Sequence, residues 1–437
     1  MNANTLPPKK SLLYRLGKHP LLIPYHRLFL IVVLINSYIA YRGLVDWKWF
    51  ENNAFSLEAI GKIALLNFTI GIIMRQQYLI NMLFAIATSI PKSWPLSIRR
   101  VAAKVYHFGG LHSGSTTVGT LWYAAFVFGV YHQYLNGASG IPLSLVVVTS
   151  AIISLLVLIL IFALPKMRAK RHNSFEITHR IGGWTVLALF WIQMLLIANA
   201  NHPGTPLVFL VDFWALCLIT TSVALPWLRL RKVAIDIERP SNHVALTSFN
   251  YGVTPFAGSS TSLSRNPLLE WHAFANVPTP DKDGFRLTIS RAGDWTGKFI
   301  NERPEKIWVK GIPTAGVGNI DKLFNKVIWV ATGSGIGPCI PHLLLNKTPS
   351  VLVWATRNPE KTYGNDLLTE IKNVQPNAVI WDTDAHGKPD LVTLAYQALQ
   401  EHQAEAVICI SNQKLTQQVV HQMEYRGIPA YGAIWDS

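Results

Sequence analysis

Six apolar runs in the first half of the chain limit how it can fold more than any other feature. They cover residues 25–42, 57–75, 116–135, 143–164, 181–199 and 205–224. A helix needs about 20 apolar residues to cross the hydrocarbon core of a bilayer, and each run is near that length. Charged residues make up only 14% of the chain, well below their usual share in soluble proteins. The sequence therefore predicts a six-helix transmembrane bundle over residues 25–226, preceded by a short cytoplasmic segment over residues 1–24.

The basic residues between the runs predict how the bundle is oriented. Lys and Arg cluster before the first run, after the second, after the fourth and after the sixth, whereas the other connections hold a single Lys. Because short cytoplasmic loops are enriched in Lys and Arg, both termini of this multi-pass membrane protein are expected in the cytoplasm. The same clustering assigns the net charge of +15 to the membrane surface and argues against nucleic acid as a partner. The polar, basic N-terminus predicts no removable signal peptide.

The chain after residue 226 shows two further patterns. Between 227 and 318, short β-rich runs alternate with turns, which predicts a small antiparallel β-barrel. Between 319 and 437, strand–turn–helix units follow one another, which predicts a parallel α/β domain with crossover helices. The predicted architecture is thus a multi-domain membrane protein in which a helical bundle precedes a barrel and a nucleotide-binding α/β domain.

The first strand–turn–helix unit carries a glycine-rich turn. In VIWVATGSGIGPCIP, the strand runs directly into Gly333, Ser334, Gly335, Gly337 and Pro338. Glycines let the backbone approach a pyrophosphate closely, and the N-terminus of the following helix favours negative charge. The segment is therefore predicted to bind a dinucleotide, and the alternative is a tight turn without a ligand.

Basic residues at the end of the second strand indicate which dinucleotide. An acidic residue at that place accepts the ribose 2′-hydroxyl of NAD, whereas a basic one suits the 2′-phosphate of NADP. Here the strand ends in Arg357, and Lys361 follows. The sequence favours NADPH, with a solvated surface charge as the alternative for Arg357.

Two histidine clusters lie at the predicted cytoplasmic face of the bundle. His107 and His112 precede the third span, and His179 precedes the fifth. Ionisable side chains at membrane depth are costly and mark functional sites, and two imidazoles from different helices can hold a haem iron. The alternative is that these histidines are interfacial side chains hydrogen-bonded to the backbone or to lipid head groups.

Residues 270–299 resemble the flavin-binding segment of the NADPH oxidase and ferric reductase superfamily. In that family an HPF[TS] motif contacts the flavin and a GDWT motif follows a strand, and GSGIGPCIP resembles its NADPH loop. EYRGIPAYGAIWDS and TRNPEKTYG look closest to the TmpA-like branch of integral membrane oxidoreductases. The resemblance implies a ferredoxin-reductase-type C-terminal half that holds FAD. The implied flavin contacts are His272, Ala273, Phe274, Ala275, Arg291, Gly293, Asp294, Trp295 and Thr296, with Asn276 and Trp435 at the flavin ring.

This chain departs from the family pattern in two places. Ala273 and Ala275 replace the proline and the hydroxyl residue of the motif, and Arg291 is out of register with the family's phosphate-binding arginine. FMN therefore stays open as an alternative to FAD.

The second departure is in the bundle. The family pairs histidines about 14 residues apart along each of two helices, which places them on one face about 20 Å apart. The corresponding positions here are Leu121, Phe126, Ile192 and Gln193, so only an inner haem b remains, held by His107 or His112 with His179.

The sequence thus predicts an enzyme in which NADPH reduces a flavin and the flavin reduces an unknown acceptor at the cytoplasmic face or in the membrane. One alternative is a two-haem reductase acting across the membrane on ferric chelates or oxygen, which the missing histidines disfavour. Another is a transporter or scaffold with a vestigial reductase domain.

Overall fold

The N-terminal half is helical, and each of the six apolar runs lies largely in a helix, although residues 205–210 of the sixth run precede the last helix of this half. The structure is a computed structural model, and it describes residues 6–51, 54–137, 141–201, 203–278 and 283–433. The elements are α1 (Leu12–Leu16), α2 (Pro24–Val45), β1 (Phe50–Glu51), β2 (Ala54–Phe55), α3 (Leu57–Ile73), α4 (Gln77–Thr88), α5 (Leu96–Ala102), α6 (Gly109–Leu135), α7 (Leu143–Ala163), α8 (Pro165–Lys170), α9 (His172–Asn201) and α10 (Val211–Leu228). Short 3₁₀ turns cover Pro20–Leu22, Val105–Phe108 and Leu207–Phe209.

The described helices only partly support the six-span prediction. Four of them, α2, α7, α9 and α10, are long and apolar enough to cross a membrane, and α3 with α4 would make a fifth if this bent pair is one span. Helix α6 is not among them, because Gly, His, Ser and Thr dilute its apolar residues. Many large apolar side chains on these helices have no protein cover, as on a surface that faces lipid. A six-span bundle remains a prediction.

The second run ends within two residues of the end of α3, as predicted, but it is followed by an apolar helix that the sequence pattern did not predict. The chain bends by 70° after α3 and continues as α4, which packs against the C-terminal half instead of the bundle. The side-chain amide of Asn81 in α4 makes two hydrogen bonds to the backbone of that half. It donates to the carbonyl of Pro313 (3.0 Å) and accepts the N–H of Ala315 (2.8 Å). Ile80 and Phe84 are buried in the same core as the α/β half. Hydropathy alone cannot separate such a helix from a span, because both are apolar.

A buried amide pair holds the centre of the bundle. Asn36 of α2 and Asn67 of α3 exchange two side-chain hydrogen bonds of 3.1 and 2.8 Å, and Trp122 of α6 donates its indole N–H to Asn36 at 3.0 Å. Buried polar groups are stabilising only when they are paired, and here all three side chains are. The cluster therefore fixes the register of three helices.

The middle of the chain forms two antiparallel sheets. Its elements are β3 (Leu230–Ala234), β4 (Asp236–Glu238), β5 (Val244–Phe249), β6 (Ser259–Ser264), β7 (His272–Ala275), β8 (Phe285–Ser290), α11 (Asp294–Glu302), β9 (Lys306–Lys310) and β10 (Thr314–Ala315). One sheet has the order β10-β6-β9-β3 with β7 paired to β6, and the other has the order β4-β5-β8. Antiparallel pairing is as predicted, but the described strands form two sheets and their closure into a barrel is not shown.

The last part of the chain is the predicted parallel α/β unit. Its elements are β11 (Val327–Thr332), α12 (Ile336–Leu345), β12 (Ser350–Thr356), α13 (Pro359–Tyr363), α14 (Asn365–Val374), β13 (Val379–Asp382), α15 (Thr383–His386), α16 (Leu391–Glu401), β14 (Ala406–Ile410), α17 (Gln413–Glu424) and β15 (Ala430–Gly432). The sheet order is β13-β12-β11-β14-β15, and all its pairs are parallel. The strand order reverses between β11 and β14, and ligands of open α/β sheets bind outside the carboxyl ends of the strands at such a point.

Charged side chains join the basic connection of the bundle to the α/β unit. Arg99 of α5 is buried and holds Glu405 with two contacts of 2.7 and 3.2 Å, and it also donates to the carbonyl of Leu323 at 2.8 Å. Lys18 and Lys104 lie 3.1 and 3.2 Å from the buried carboxylate of Glu424. The Lys and Arg clusters that the sequence assigns to the cytoplasmic face are therefore, in part, docking residues.

Candidate functional site

The glycine-rich turn lies at the carboxyl end of β11, where the strand order of the parallel sheet reverses. Gly333 has φ +47°, a left-handed conformation that favours glycine. A Cβ on Gly335 would lie 2.0 Å from the carbonyl oxygen of Ile410, so only glycine lets this turn pass the end of β14. The backbone conformation and the packing of this turn therefore explain two of its glycines, whether or not a ligand binds.

The remaining residues of the turn lead into α12. Ser334 is exposed, whereas Gly337 is buried and Pro338 lies in the first turn of the helix. The indole N–H of Trp354 donates to the carbonyl of Gly333 at 3.0 Å, which fixes the turn to the neighbouring strand. The backbone at residues 333–338 and the N-terminus of α12 together offer N–H groups to an anionic ligand.

The glycine-rich turn faces the antiparallel half. The Cβ position of Gly337 lies 3.5 Å from Thr288 of β8, an ordinary van der Waals distance. Arg286 of β8 and Glu370 of α14 form an ion pair at 2.5 Å, which holds the two halves together beside this contact. A dinucleotide on the turn would therefore lie next to strands β7 and β8.

The two motifs of the flavin-binding resemblance come together around one aromatic stack. The ring centres of His272 and Trp295 are 4.3 Å apart, and Phe274 stacks on Trp295 at 5.9 Å. Trp295 also donates its indole N–H to Glu270 at 2.6 Å. Strand β7 (His272–Ala275) pairs with β6 along one edge, and among the described strands no second one pairs with its other edge, although Val277 just beyond β7 bridges to Arg286 of β8. This free edge, which includes Ala273, can offer backbone groups to a ligand.

The GDWT segment caps α11. Gly293 precedes the helix, and the Thr296 hydroxyl accepts the backbone N–H groups of Ala292 (2.8 Å) and Gly293 (3.1 Å). Asp294 is exposed in the first turn. Arg291 is already engaged with the carbonyl of Asn242 and the side chain of Asn301. Thr296 therefore caps the start of α11 and Arg291 binds neighbouring parts of the same domain, which the motif resemblance alone does not predict.

Asn276 is fully buried, with an exposed fraction of 0%. Its side-chain N–H donates to Ser259 at 2.8 Å, whereas its Oδ1 atom has no hydrogen-bond partner among the described residues. An unpaired buried acceptor is costly, and the N–H of a flavin ring is the kind of donor that would satisfy it. Trp435, the other residue predicted at the flavin ring, lies outside the described residues. The residues around β7 thus fit a flavin.

Arg357 and Lys361 are exposed at the carboxyl end of β12. The Arg357 side chain is 83% exposed, and its Nε atom lies 3.7 Å from Asp384, an ion pair that solvent screens. Asp382 accepts the backbone N–H groups of Asn358 and Asp384 at 2.9 Å. These hydrogen bonds, chiefly the one from Asp384, lower the pKa of the Asp382 carboxyl. Two acidic residues beside Arg357 are a feature that the sequence analysis missed, since they belong to the next strand, β13, and to the short helix α15 that follows it.

The structure separates the three predicted haem histidines. The ring centres of His112 and His179 are 6.1 Å apart, with the ring planes inclined by 69°, whereas His107 packs against Tyr106 in another place. A metal ion held between two imidazoles at bond lengths of about 2.0 Å places the ring centres roughly 6 Å apart. His112 donates its Nδ1–H to the carbonyl of Gly71 at 2.8 Å, which leaves its Nε2 free as a ligand. The pair His112 and His179 therefore fits an inner haem iron, and His107 does not belong to it.

The place of an outer haem pair is occupied by other side chains. Tyr123 of α6 donates its hydroxyl to Gln193 of α9, one of the positions where the family pattern would have a histidine. Both side chains are buried. A hydrogen-bonded Tyr–Gln pair leaves no ligand for an iron there, which disfavours the two-haem alternative.

Solved structures give weak likenesses. A ferredoxin NADP+ reductase from Neisseria gonorrhoeae with bound FAD and NADP aligns with 47% of this chain and 98% of its own, at 14% identity and a TM-score of 0.38. A flavohemoglobin from Malassezia yamatoensis with bound FAD and heme aligns with 87% of this chain and 96% of its own, at 12% identity and a TM-score of 0.41. Scores this low do not establish a shared fold.

Curated sequences give a stronger match. A family model described as the C-terminal domain of adenylate-forming reductase 03009 matches residues 317–437. Adenylate-forming reductases 03009 and 06235 from Coprinopsis cinerea are each 44% identical to this chain over 425 residues. The match covers 96% of this chain and 41% of either relative. The chain is therefore similar, over nearly its whole length, to less than half of two adenylate-forming reductases.

Proposed function

We propose that the chain is a multi-pass integral membrane oxidoreductase. It would pass electrons from NADPH, through a bound FAD, to an acceptor at the cytoplasmic face or in the bilayer. The observation that carries the proposal is the packing of the glycine-rich turn against β8: a Cβ added to Gly337, at the strand-order reversal, would lie 3.5 Å from the Cβ of Thr288. A nicotinamide on one side of this contact and a flavin on the other would be neighbours.

Separate sets of residues would bind the two cofactors. The backbone at 333–338 would hold the pyrophosphate, and Arg357 with Lys361 would hold the 2′-phosphate. The free edge of β7 and the unpaired Oδ1 of Asn276 would hold the flavin ring. A bound flavin supplies the redox chemistry, as an acceptor of hydride and a donor of electrons. The residues of the chain would position the nicotinamide and the flavin ring, and the buried surroundings of Asn276 would exclude water.

The membrane location rests on the apolar helices and on the docking of their basic connection. Arg99, Lys104 and Lys18 of the N-terminal half bind acidic residues of the α/β half. If the α/β half is cytoplasmic, then so are the segments that carry these residues, and with them the N-terminus. This orientation agrees with the distribution of Lys and Arg. A TmpA-like membrane oxidoreductase remains the more specific form of the proposal.

His112 and His179 would hold a haem b, if one is bound, at the cytoplasmic end of α6 and α9. The group would supply one-electron chemistry there. The hydrogen bond from His112 to the carbonyl of Gly71 would fix the tautomer of His112 and so keep its Nε2 atom available to the iron.

The test is the visible spectrum of the full chain, purified in detergent and titrated with NADPH without oxygen. We expect flavin absorption that bleaches on addition of NADPH. A colourless protein that does not oxidise NADPH would contradict the proposal and favour a non-enzymatic membrane protein. A Soret band that disappears in His112→Leu, with the flavin retained, would assign the haem to the His112–His179 pair, and a spectrum without a Soret band would exclude it.

A further inference from the structure

A cavity of about 940 Å³ lies between the two halves of the molecule. Its walls come from the N-terminal segment, from α5 and the start of α6, and from α17 with the end of β15. Most of the lining is apolar, including Leu21, Ile23, Leu83, Val101, Val105 and Leu111. Cavities of this size and character hold small organic ligands. Among the described residues, none of those assigned above to the nucleotide, the flavin or the His112–His179 pair lines the cavity, whereas His107 does.

One end of the cavity is polar and basic. Lys18, Arg27, Arg100 and Lys104 line it, against the single carboxylate of Glu424. Both lysines contact Glu424, and Arg27 donates to backbone carbonyls, but the positive charge exceeds the negative. An excess of cations beside an apolar cavity favours an anionic head group.

His107 gives the cavity an unpaired polar atom. Its side chain is 4% exposed, and its Nδ1 atom is buried without a hydrogen-bond partner among the described residues. An unpaired buried nitrogen costs free energy comparable to a lost hydrogen bond. An oxygen of an occupant at this place would remove that cost.

The mouth of the cavity is apolar and lacks protein cover. Leu21 and Val101 line the cavity and yet are 70% and 75% exposed. Leu12 and Leu13 of α1, in the same N-terminal segment, are exposed as well. In a membrane protein, exposed leucines beside clustered cations mark the interface between lipid chains and head groups. The cavity thus opens at the level where amphipathic molecules lie.

We propose that this cavity binds an amphipathic molecule from the cytoplasmic leaflet, with an acyl chain among the apolar side chains and an anionic head group at His107 and the cations. A fatty acid and a phospholipid share this chemistry. The proposal is independent of the redox activity proposed above, because it concerns binding alone.

The experiment uses the full chain in lipid nanodiscs and a photoreactive palmitic acid with a diazirine on its chain. After irradiation, labelled peptides are identified by mass spectrometry. We expect label on peptides from residues 97–111 and 413–433, displaced by excess palmitic acid. No cofactor is needed, so failure of the reductase proposal would not affect this result.

Five variants make the test specific. Ala102→Trp fills the cavity and should lower labelling about tenfold, which corresponds to about 1.4 kcal/mol of binding. Ile98→Trp lies on the same helix outside the cavity and should leave labelling unchanged. His107→Leu should lower labelling and His107→Gln should restore part of it, whereas His132→Leu, at the far end of α6, should have no effect.

The outcomes separate the sources of the ligand. Displacement by a lower concentration of phosphatidic acid than of palmitic acid would support the proposal with a phospholipid as occupant, whereas label that neither lipid displaces would overturn it. Label spread over the lipid-facing helices α2, α7, α9 and α10 alone, and unchanged by Ala102→Trp, would overturn it. If Ala102→Trp does not fold, as judged by size-exclusion chromatography, then the wild-type peptide map and its displacement by palmitic acid decide the question.

Discussion

At the scale of residues, Arg357 is the side chain on which the proposed preference for NADPH rests. It is exposed at the end of β12, with Asp384 at 3.7 Å and Asp382 at the end of the next strand. A 2′-phosphate would compete with these carboxylates for the guanidinium, and a charged hydrogen bond of the phosphate is the stronger contact. The acidic neighbours would repel the same phosphate once Arg357 is removed.

We therefore expect Arg357→Ala to raise the KM for NADPH about tenfold, from the loss of roughly 1.5 kcal/mol of a charged hydrogen bond, and to leave the KM for NADH unchanged. Steady-state kinetics with both nucleotides measure this. Lys372→Ala, an exposed cation on α14, is the control and should change neither value. Equal effects on both nucleotides would contradict the assignment of Arg357 to the 2′-phosphate.

Glu424 makes a pH-dependent contribution to stability. Burial alone would raise the pKa of its carboxyl, but Lys104, Lys18 and Arg100 outweigh burial and lower it. Since the folded pKa is below the unfolded one, the stabilisation is present above the unfolded value, about 4.3 for Glu, and is lost as the pH falls through the folded pKa.

We expect Glu424→Gln to lower the Tm at pH 7, because three cations then lose the negative charge that they share, and the difference from wild type to shrink as the pH falls below about 4. Thermal unfolding in detergent across pH 3.5–8 measures this. Glu401→Gln, at an exposed position, should follow wild type throughout. A constant difference at every pH would show that the Glu424 charge is not responsible.

At the scale of elements, the turn between β11 and α12 depends on close packing. The chain passes so near the end of β14 that a Cβ on Gly335 would lie 2.0 Å from the Ile410 carbonyl oxygen. Backbone atoms cannot move aside as a flexible side chain can. The turn therefore requires glycine even in the absence of a nucleotide.

Gly335→Ala should lower the free energy of unfolding by about 1–3 kcal/mol, as expected for overpacking at a rigid site. Gly316→Ala is the matched control, because its Cβ would meet only the carbonyl oxygen of Gly258 at 3.5 Å. Chemical or thermal unfolding compares the two. Equal stability of the two variants would show that β14 and the turn can separate without cost.

At the scale of the whole molecule, the N-terminal half and the α/β half share one interface. It includes α5 with the buried Arg99–Glu405 pair and the Glu424 cluster, and beside it Asn81 of α4 contacts the antiparallel strand β10. Removing one partner of a buried ion pair costs more than the pair contributes, because the other charge is left behind. The interface is therefore sensitive to single charge deletions.

We expect Arg99→Met to lower stability by about 1–3 kcal/mol, less than for a fully buried pair because Glu405 is partly exposed. The double variant Arg99→Met with Glu405→Leu should recover part of the loss. Arg265→Met removes the exposed pair with Glu302 and should cost at most about 1 kcal/mol. Thermal unfolding and the protease sensitivity of the full chain measure these differences, and equal losses for Arg99→Met and Arg265→Met would contradict the role of the interface.

Local patterns in the sequence determined the elements of this protein. Apolar runs gave helices such as α7 and α9, and alternating strand and helix patterns gave the parallel sheet, because hydropathy and periodicity act over neighbouring residues. The tertiary structure decided which residues meet. It bent the chain after α3, so that α4 joins the α/β half. It paired His112 with His179 and placed His107 at a cavity, and it buried Asn276. These outcomes depend on contacts between residues far apart in the chain, which no local pattern records.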